Sequence, residues 1–540
     1  MRRPLLATEF LDRARKYFGD QEAVLTVEGD RLTYDDLGDR VDRMSSALSA
    51  HGIGKGDRVA VLDPNTHYHL ETAYAAIQLG AVHTPLNYRL KPGEHEYIFN
   101  DAEIDAIVCD WDFVDSIDPV REDLPTDLFV CTDPARAETD ADWRDYEALL
   151  EEHGPGEHDR PEMSEDEVIT LNYTSGTTGD PKGVMRTHRS ETVHAYLTAH
   201  QQSITSDDVY YWTLPMFHVN GWGHIFAVTG VGARHVCTRG VEAADVFEKI
   251  VAEDVSYLNA APTVMNMLID YYEEHEPQTT GDSDVRLATG GAAPPTATIR
   301  KLEDDMGWYF KHMYGLTETG PLICTSDYNR LFDQDDDARF EIKKRQGFAM
   351  LGTELDVVDE HGTTVSANDD EIGEIVVRGN QVMEGYLNKP AETEEAFGAR
   401  REGWFHTGDL ATLNERGMIR IKDRKKDIIV SGGENISSLQ LEDVLYEHPE
   451  IKEVAVIPAP SEQWGETPKA YVVPRSGDPD RPGLTAEDVT DFTRDHLADY
   501  KAVRLVEFVA ELPKTSTGKV QKYELREQEW EDEDQMVGEG

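Results

Sequence analysis

Cysteine is scarce: Cys109, Cys131, Cys237 and Cys324 are the only four in 540 residues, widely spaced and without a Cys-x-x-Cys pair. That pattern excludes a disulfide framework and a zinc knuckle, and it fits a reducing compartment. Long apolar runs are also missing. No stretch reaches the length of a membrane-spanning helix, and Arg2 and Arg3 are followed by Glu9, Asp12 and Arg13 rather than by the apolar core of a signal peptide. A cytoplasmic protein is expected. Positive charge is short as well: 52 Lys and Arg face 106 Asp and Glu, a formal net charge of −54. Such a surface repels nucleic-acid phosphates and anionic lipid headgroups, so neither is expected as a partner. There is no internal repeat and no low-complexity block.

What is present is core-forming material, with 39% hydrophobic and 9% aromatic residues, enough for a folded chain despite the acidic shell. A shell of this kind self-repels at low ionic strength and is screened in molar salt, which points to a salt-rich cytoplasm. Short apolar runs alternate with helical patterns: Arg58 to Leu62 reads as a strand, Glu71 to Leu79 as a helix, Ala106 to Cys109 as a strand. Val168 to Tyr173, Val209 to Leu214 and Val285 to Thr289 read as further strands, each ending in a turn or a Gly/Pro-rich loop, where parallel sheets place ligands. The fold class is therefore α/β. Strands at Glu354 to Val358 and Glu374 to Arg378, flanking His361-Gly362, form a small antiparallel or barrel-like unit. A new pattern begins beyond the charged stretch Lys422 to Asp427: a strand at Ile428 to Val430, a helix at Ser438 to Glu447, strands at Val454 to Ile457 and Ala470 to Val473, and a helix at Ala486 to Leu497. This predicts a large domain over 1–423, a connection at 424–427 and a smaller α/β domain over 428–540, whose last residues, from Glu529, are weakly patterned.

The strongest local signal is Tyr173-Thr174-Ser175-Gly176-Thr177-Thr178-Gly179-Asp180-Pro181-Lys182-Gly183-Val184, directly after an apolar strand. Backbone amides and hydroxyls in such a loop wrap a polyphosphate, glycines permit close approach and Lys182 adds positive charge. The Walker A spacing is absent. A generic Gly/Ser/Thr run is more often an ordinary surface loop.

This run resembles the phosphate-binding signature of the adenylate-forming superfamily, which includes acyl-CoA synthetases, nonribosomal-peptide adenylation domains and luciferases. Four other motifs match in order. Thr289-Gly290-Gly291-Ala292-Ala293-Pro294 resembles the adenine-side loop, and Met313-Tyr314-Gly315-Leu316-Thr317-Glu318-Thr319 the aromatic, threonine and glutamate motif. Gly403 to Leu410 resembles the ribose-binding motif, and Pro513 to Lys519 the C-terminal lysine motif. Lys422 to Ser437 is similar to the hinge and the loop after it. The resemblance implies that Thr174, Ser175, Gly176, Thr177, Thr178, Gly179 and Lys182 hold the phosphates, that Gly291, Ala292, Ala293, Tyr314 and Gly315 hold the adenine, and that Asp409 and Arg424 hold the ribose. Thr317 bonds the α-phosphate; Glu318, with Thr174, holds Mg²⁺, a hard cation suited to oxygen ligands. Read singly, Glu318, Asp409, Arg424 and Lys519 would be ordinary surface charges, and Tyr314 a structural tyrosine.

Pro215-Met216-Phe217-His218-Val219-Asn220-Gly221-Trp222 resembles the acyl-site motif, with His218 near the carboxylate and Trp222 at the position that gates the acyl tunnel in some long-chain fatty acyl-CoA synthetases. A core tryptophan fits the same position. The implied activity is ATP-dependent adenylation of a carboxylic acid, a medium- to long-chain fatty acid by the Trp222 context, followed by transfer to coenzyme A. Lys519 serves the first step. Rotation about Lys426 then brings Ser431, Gly432 and Gly433 to the coenzyme A channel. Ile457-Pro458-Ala459-Pro460 departs from the wording common near the coenzyme A nucleotide and leaves that contact open. The competing readings are a stand-alone adenylation enzyme loading a carrier protein, a ligase for short-chain or aryl acids, and a non-catalytic nucleotide-binding scaffold. A homodimer is allowed for.

Overall fold

The computed structural model describes residues 3–132, 143–174, 181–290, 294–326, 336–398, 401–431, 434–461, 464–514 and 520–530. Two compact units divide the chain: Met1–Glu354 with Arg378–Gly398, and Leu355–Val377 with Ala399–Gly540.

The first unit is built on two large sheets. In one, the strands Arg234–Val236, Val209–Tyr211, Tyr257–Asn259, Arg286–Thr289 and Tyr309–Gly315 run parallel. In the other, Val82–Pro85, Arg58–Leu62, Ala106–Cys109 and Phe129–Cys131 run parallel, and Val168–Thr174 joins Val82–Pro85. Side chains alternate across each sheet, as a pleated strand requires. Tyr210 and Trp212 enter a core shared with the helices Tyr34–Ala50 and His67–Gln78, while Tyr211, Leu258 and Leu287 enter a core on the opposite face. Val59 and Val108 reach the same shared core from the second sheet, whereas Ala60, Ile107 and Cys109 face a third. The sheets therefore sandwich a helical layer. Helix His67–Gln78 is buried along nearly its whole length. It starts before the expected Glu71 because the Thr66 hydroxyl caps it, accepting from Tyr68 N at 3.2 Å.

In the second unit, Glu354–Val358, Gly373–Arg378, Phe405–Leu413 and Ile419–Arg424 form a four-stranded sheet in that order. The remainder is a second sheet, with Gly465–Pro474 between Ile451–Ser461 and Ile429–Ser431 and with Leu505–Phe508 parallel to it. The helices Ser438–Tyr446, Ala486–His496 and Lys522–Trp530 accompany it. The last of these extends regular structure past Glu529.

Candidate active site

Strands Val168–Thr174 and Lys182–Thr187 form an antiparallel hairpin in which Thr174 faces Lys182, so the phosphate-loop sequence joins two fixed strand ends. Ser175, Gly176, Thr177, Thr178 and Gly179 lie outside the described residues. Lys182 pairs with Glu392, and its ammonium sits 5.3 Å from the centroid of the Tyr386 ring. The Tyr386 hydroxyl in turn donates to Glu318 Oε1 at 2.9 Å. Two residues singled out by motif, Lys182 and Glu318, are thus joined through a phenol that no motif contains. Burial, and then the adjacent Glu318 charge, hold the Tyr386 phenol well above its ordinary range, so it remains a protonated donor.

Glu318 lies in a single turn, Thr317–Thr319, after the strand Tyr309–Gly315, and its carbonyl accepts from Met383 N at 2.8 Å. Thr319 Oγ1 accepts from Leu316 N at 2.9 Å and closes that turn. Gly315 is required there, because a Cβ would overlap the Pro321 carbonyl oxygen. Tyr314 is buried. Among the described residues, Glu318 Oε2 accepts no hydrogen bond. The partly exposed Glu318 carboxylate is a hard oxygen donor of the kind Mg²⁺ takes.

The motif expected at the acid site takes an unusual backbone form. Val219, Asn220, Gly221, Trp222 and Gly223 all have positive φ, +51°, +54°, +57°, +57° and +75°, which makes one left-handed turn. Gly223 N donates to Val219 O at 3.0 Å and Trp222 N to His218 O at 3.3 Å. Left-handed helix costs a non-glycine residue about 1–2 kcal/mol, and the β-branched Val219 is poorly suited to it. His218, half-buried, leads into the turn, and Trp222 is 7% exposed. A Cβ on Gly290 would lie 2.8 Å from Trp222 Cη2, so the indole rests on the backbone that enters the adenine-side loop. Gly291, Ala292 and Ala293 of that loop lie outside the described residues.

In the second unit, Phe405–Leu413 pairs with Ile419–Arg424 in a register that sets Asp409 directly opposite Arg424. Arg424 Nε lies 3.4 Å from Asp409 Oδ1. The ribose pair expected from two distant motifs is therefore one cross-strand pair. Gly408, at φ +71°, turns the chain just before Asp409, and its N–H donates to Glu374 Oε1 at 3.1 Å.

The segment around Lys426 is held by charge. Asp423 accepts from Ser438 N at 2.6 Å and Ser438 Oγ at 2.7 Å, and Lys522 Nζ donates to the same hydroxyl at 2.7 Å. Burial raises the Asp423 carboxyl, with Lys522 opposing. For Asp427, burial is outweighed by Lys522 and by its partner Arg526, which hold it below the usual carboxylate range. Ser431 pairs with Glu434 across a short hairpin. Gly432, Gly433 and Lys519 lie outside the described residues; an isolated bridge between Lys514 and Val520 brackets the lysine motif.

The family model "AMP-binding enzyme" matches residues 10–387, and its companion, "AMP-binding enzyme C-terminal domain", matches residues 440–519. This chain is an AMP-binding enzyme. It belongs to the acyl-CoA ligases, the acid–thiol ligases that the sequence resemblance implied. A probable peroxisomal acyl-activating enzyme 5 of Arabidopsis thaliana is 38% identical over 97% of this chain and 96% of its own length. A 4-hydroxybutyrate–CoA ligase 2 of Metallosphaera sedula is 37% identical over 97% and 94%. Among solved structures, ATP-bound MatB from Rhodopseudomonas palustris matches with a TM-score of 0.85 at 27% identity, over 98% of this chain and 99% of that one. ATP, coenzyme A and a carboxylic acid as substrates fit this family, and no described helix of the ligase is long and apolar enough to cross a membrane.

Proposed function

We propose that this ligase activates a short aliphatic carboxylic acid. A carboxylate oxygen attacks the α-phosphorus of ATP and pyrophosphate leaves, giving an acyl-adenylate. The coenzyme A thiol then attacks the acyl carbon, forming the thioester and releasing AMP. Thr174 and Lys182 sit where the triphosphate loop begins and ends, with Tyr386 beside Lys182, and Asp409 with Arg424 presents the donor and acceptor pattern of a ribose site. Mg²⁺, when held by Glu318 and Thr174, neutralises phosphate charge. Tyr386 orients the Glu318 carboxylate through its hydroxyl. Lys519 supplies the positive charge for the first step, and rotation of the C-terminal part, 428–540, about Lys426 in the 424–427 segment exchanges it for Ser431, Gly432 and Gly433.

The observation that favours a short acid is the seating of Trp222, buried against Gly290 on a turn whose backbone is fixed by hydrogen bonds. The relative named for 4-hydroxybutyrate supports it. The medium- to long-chain fatty acid is the second reading, and the Asn-Gly-Trp context favours it, with Trp222 opening as a gate. A panel running from acetate through butyrate, octanoate and palmitate to benzoate and cinnamate, followed by coenzyme A-dependent AMP release, tests the choice. Highest kcat/KM at four carbons or fewer is expected; a maximum at octanoate or beyond would overturn the short-acid reading. Thioester formed on free coenzyme A also separates this reading from a carrier-loading enzyme.

Trp222→Ala sharpens the same point. Removing a buried indole is expected to cost about 3–5 kcal/mol of stability and to move the chain-length optimum upward. In the wild type, calorimetric titration with palmitate is expected to show no binding with or without a nonhydrolysable ATP analogue. Binding that appears only with the analogue would establish the gate instead. We further infer a salt-rich cytoplasm from the −54 net charge; a thermal midpoint that falls as KCl is raised to molar levels would contradict that.

A further inference from the structure

Charged residues with no exposed surface are uncommon, and two lie beneath the left-handed turn. Arg186 and Glu191 are both 0% exposed, and Arg186 Nε donates to Glu191 Oε1 at 2.6 Å. The same carboxylate oxygen accepts from Thr170 Oγ1 at 2.8 Å and from Asn220 Nδ2 at 2.9 Å. Arg186 Nη1 donates to the Gln381 carbonyl at 3.1 Å, fixing the guanidinium from its far side. Asn220 is the second residue of the left-handed turn and is itself fully buried. An isolated turn of that hand is unfavourable for valine and tryptophan, so something outside it must hold it.

The neighbours leave the turn little freedom. His224 Nδ1 lies 2.8 Å from the Gly221 carbonyl oxygen, a Cβ on Gly221 would overlap the Trp212 ring, and one on Gly223 would lie 2.5 Å from His194 Nδ1. These contacts crowd the turn from two sides, and the Asn220 amide ties it to a buried charge.

We propose that the buried Arg186–Glu191 pair, acting through Asn220, sets the acid specificity of this ligase by locking the turn that carries Trp222, so that the indole is a fixed end wall to the acid site. Arg186, Glu191 and Asn220 are positioning residues; none is assigned a contact with substrate. The proposal rests on the ligase reading and on Trp222 lining the acid site. It explains why two charges are kept in the interior, where a hydrophobic pair of similar volume is often at least as stable.

Two variants test it. Asn220→Gly keeps a residue that accepts positive φ and removes only the tether. Arg186→Met combined with Glu191→Leu withdraws both charges together, so neither is left buried alone. In each, the ratio of kcat/KM for octanoate to that for butyrate is expected to rise by about tenfold or more, the scale on which apolar pockets discriminate by chain length. The KM for ATP is expected to change less than that ratio, because Arg186, Glu191 and Asn220 belong to none of the nucleotide motifs, although Arg186 and Thr170 lie on the strands flanking the phosphate loop. A chain-length ratio unchanged in both variants overturns the proposal, as does a parallel loss for every acid and for ATP, the signature of a merely structural pair. If the wild type forms no thioester from any acid, the ligase reading fails separately, and a second measurement still judges the tether. With 5-fluorotryptophan incorporated and the Trp222 signal identified through Trp222→Phe, the fluorine resonance of residue 222 is expected to shift or broaden in Asn220→Gly. An unchanged, sharp resonance overturns the tether whatever the activity.

Discussion

Replacing Lys519 by alanine is expected to slow acyl-adenylate formation by about 10²–10³-fold while leaving thioester formation from supplied acyl-adenylate within about twofold of wild type. The asymmetry follows from the chemistry of the two steps. In the first, a carboxylate must approach a triphosphate, and like charges about 4 Å apart repel by about 4 kcal/mol near a protein surface. A fixed ammonium between them offsets that repulsion and stabilises the charge that moves to the pyrophosphate oxygens in the transition state. In the second, a thiol attacks an acyl carbon already joined to a good leaving group, and the same ammonium has no anion pair to reconcile. Single-turnover measurement of adenylate formation, set beside thiolysis of synthetic acyl-adenylate, reads the two steps separately. An equal loss in both would mean that Lys519 stays at the site throughout, and the rotation about Lys426 would have to be abandoned.

The second large effect concerns acid. Among the described residues, nine fully or largely buried histidines of the first unit have their pKa depressed by burial: His67, His69, His188, His224 and His312 to about 4, His235 to about 3, His83 and His194 well below the ordinary value of 6.5, and His95 below it. A lower pKa in the folded state means that the unfolded chain binds these protons first. Their contribution to stability is therefore complete above pH 6.5 and is lost as pH falls toward 4. Two buried carboxyls work the other way. Burial raises Glu71 to about 7 against the pull of Arg40, and raises Asp63 well above its ordinary value. The depressed histidines outnumber the raised carboxyls, so unfolding takes up protons and stability falls as pH drops below 6.5. Because a domain is stable by only about 5–15 kcal/mol, the first unit is expected to unfold cooperatively between pH 6.5 and 4. Near-ultraviolet circular dichroism followed from pH 8 to pH 3 checks this. A native signal that survives to pH 4 would show that these imidazoles can be charged in place.

Much of this was legible in the chain. The strands Arg58–Leu62 and Ala106–Cys109 stood out because apolar runs bounded by turn residues leave little alternative. The ends were harder: Val209–Tyr211 stops short of the expected Leu214 because Trp212 and Thr213 turn the chain toward Pro215. Asp409 and Arg424 could be paired by motif, and the ladder explains why they meet. Tyr386 and Glu392 could not, since a tyrosine and a glutamate outside any motif carry no signal of the lysine and carboxylate they touch. Arg186 and Glu191 were hidden for the opposite reason: charged residues are read as surface, and only tertiary packing reveals that these two are interior. The left-handed turn had one readable sign, the dipeptide Asn220-Gly221, whose residues tolerate positive φ. Val219 and Trp222 on either side pointed away from it.

Oxygen tracing tests most directly whether the acid is activated on the α-phosphorus of ATP. With butyrate labelled by ¹⁸O in both carboxylate oxygens, coenzyme A and ATP, one labelled oxygen is expected to appear in the phosphate of AMP. The bond formed joins carboxylate oxygen to α-phosphorus, and the bond the thiol later breaks joins that oxygen to the acyl carbon. Label found instead in inorganic phosphate, with ADP as the nucleotide product, would mean an acyl-phosphate route and would contradict the account.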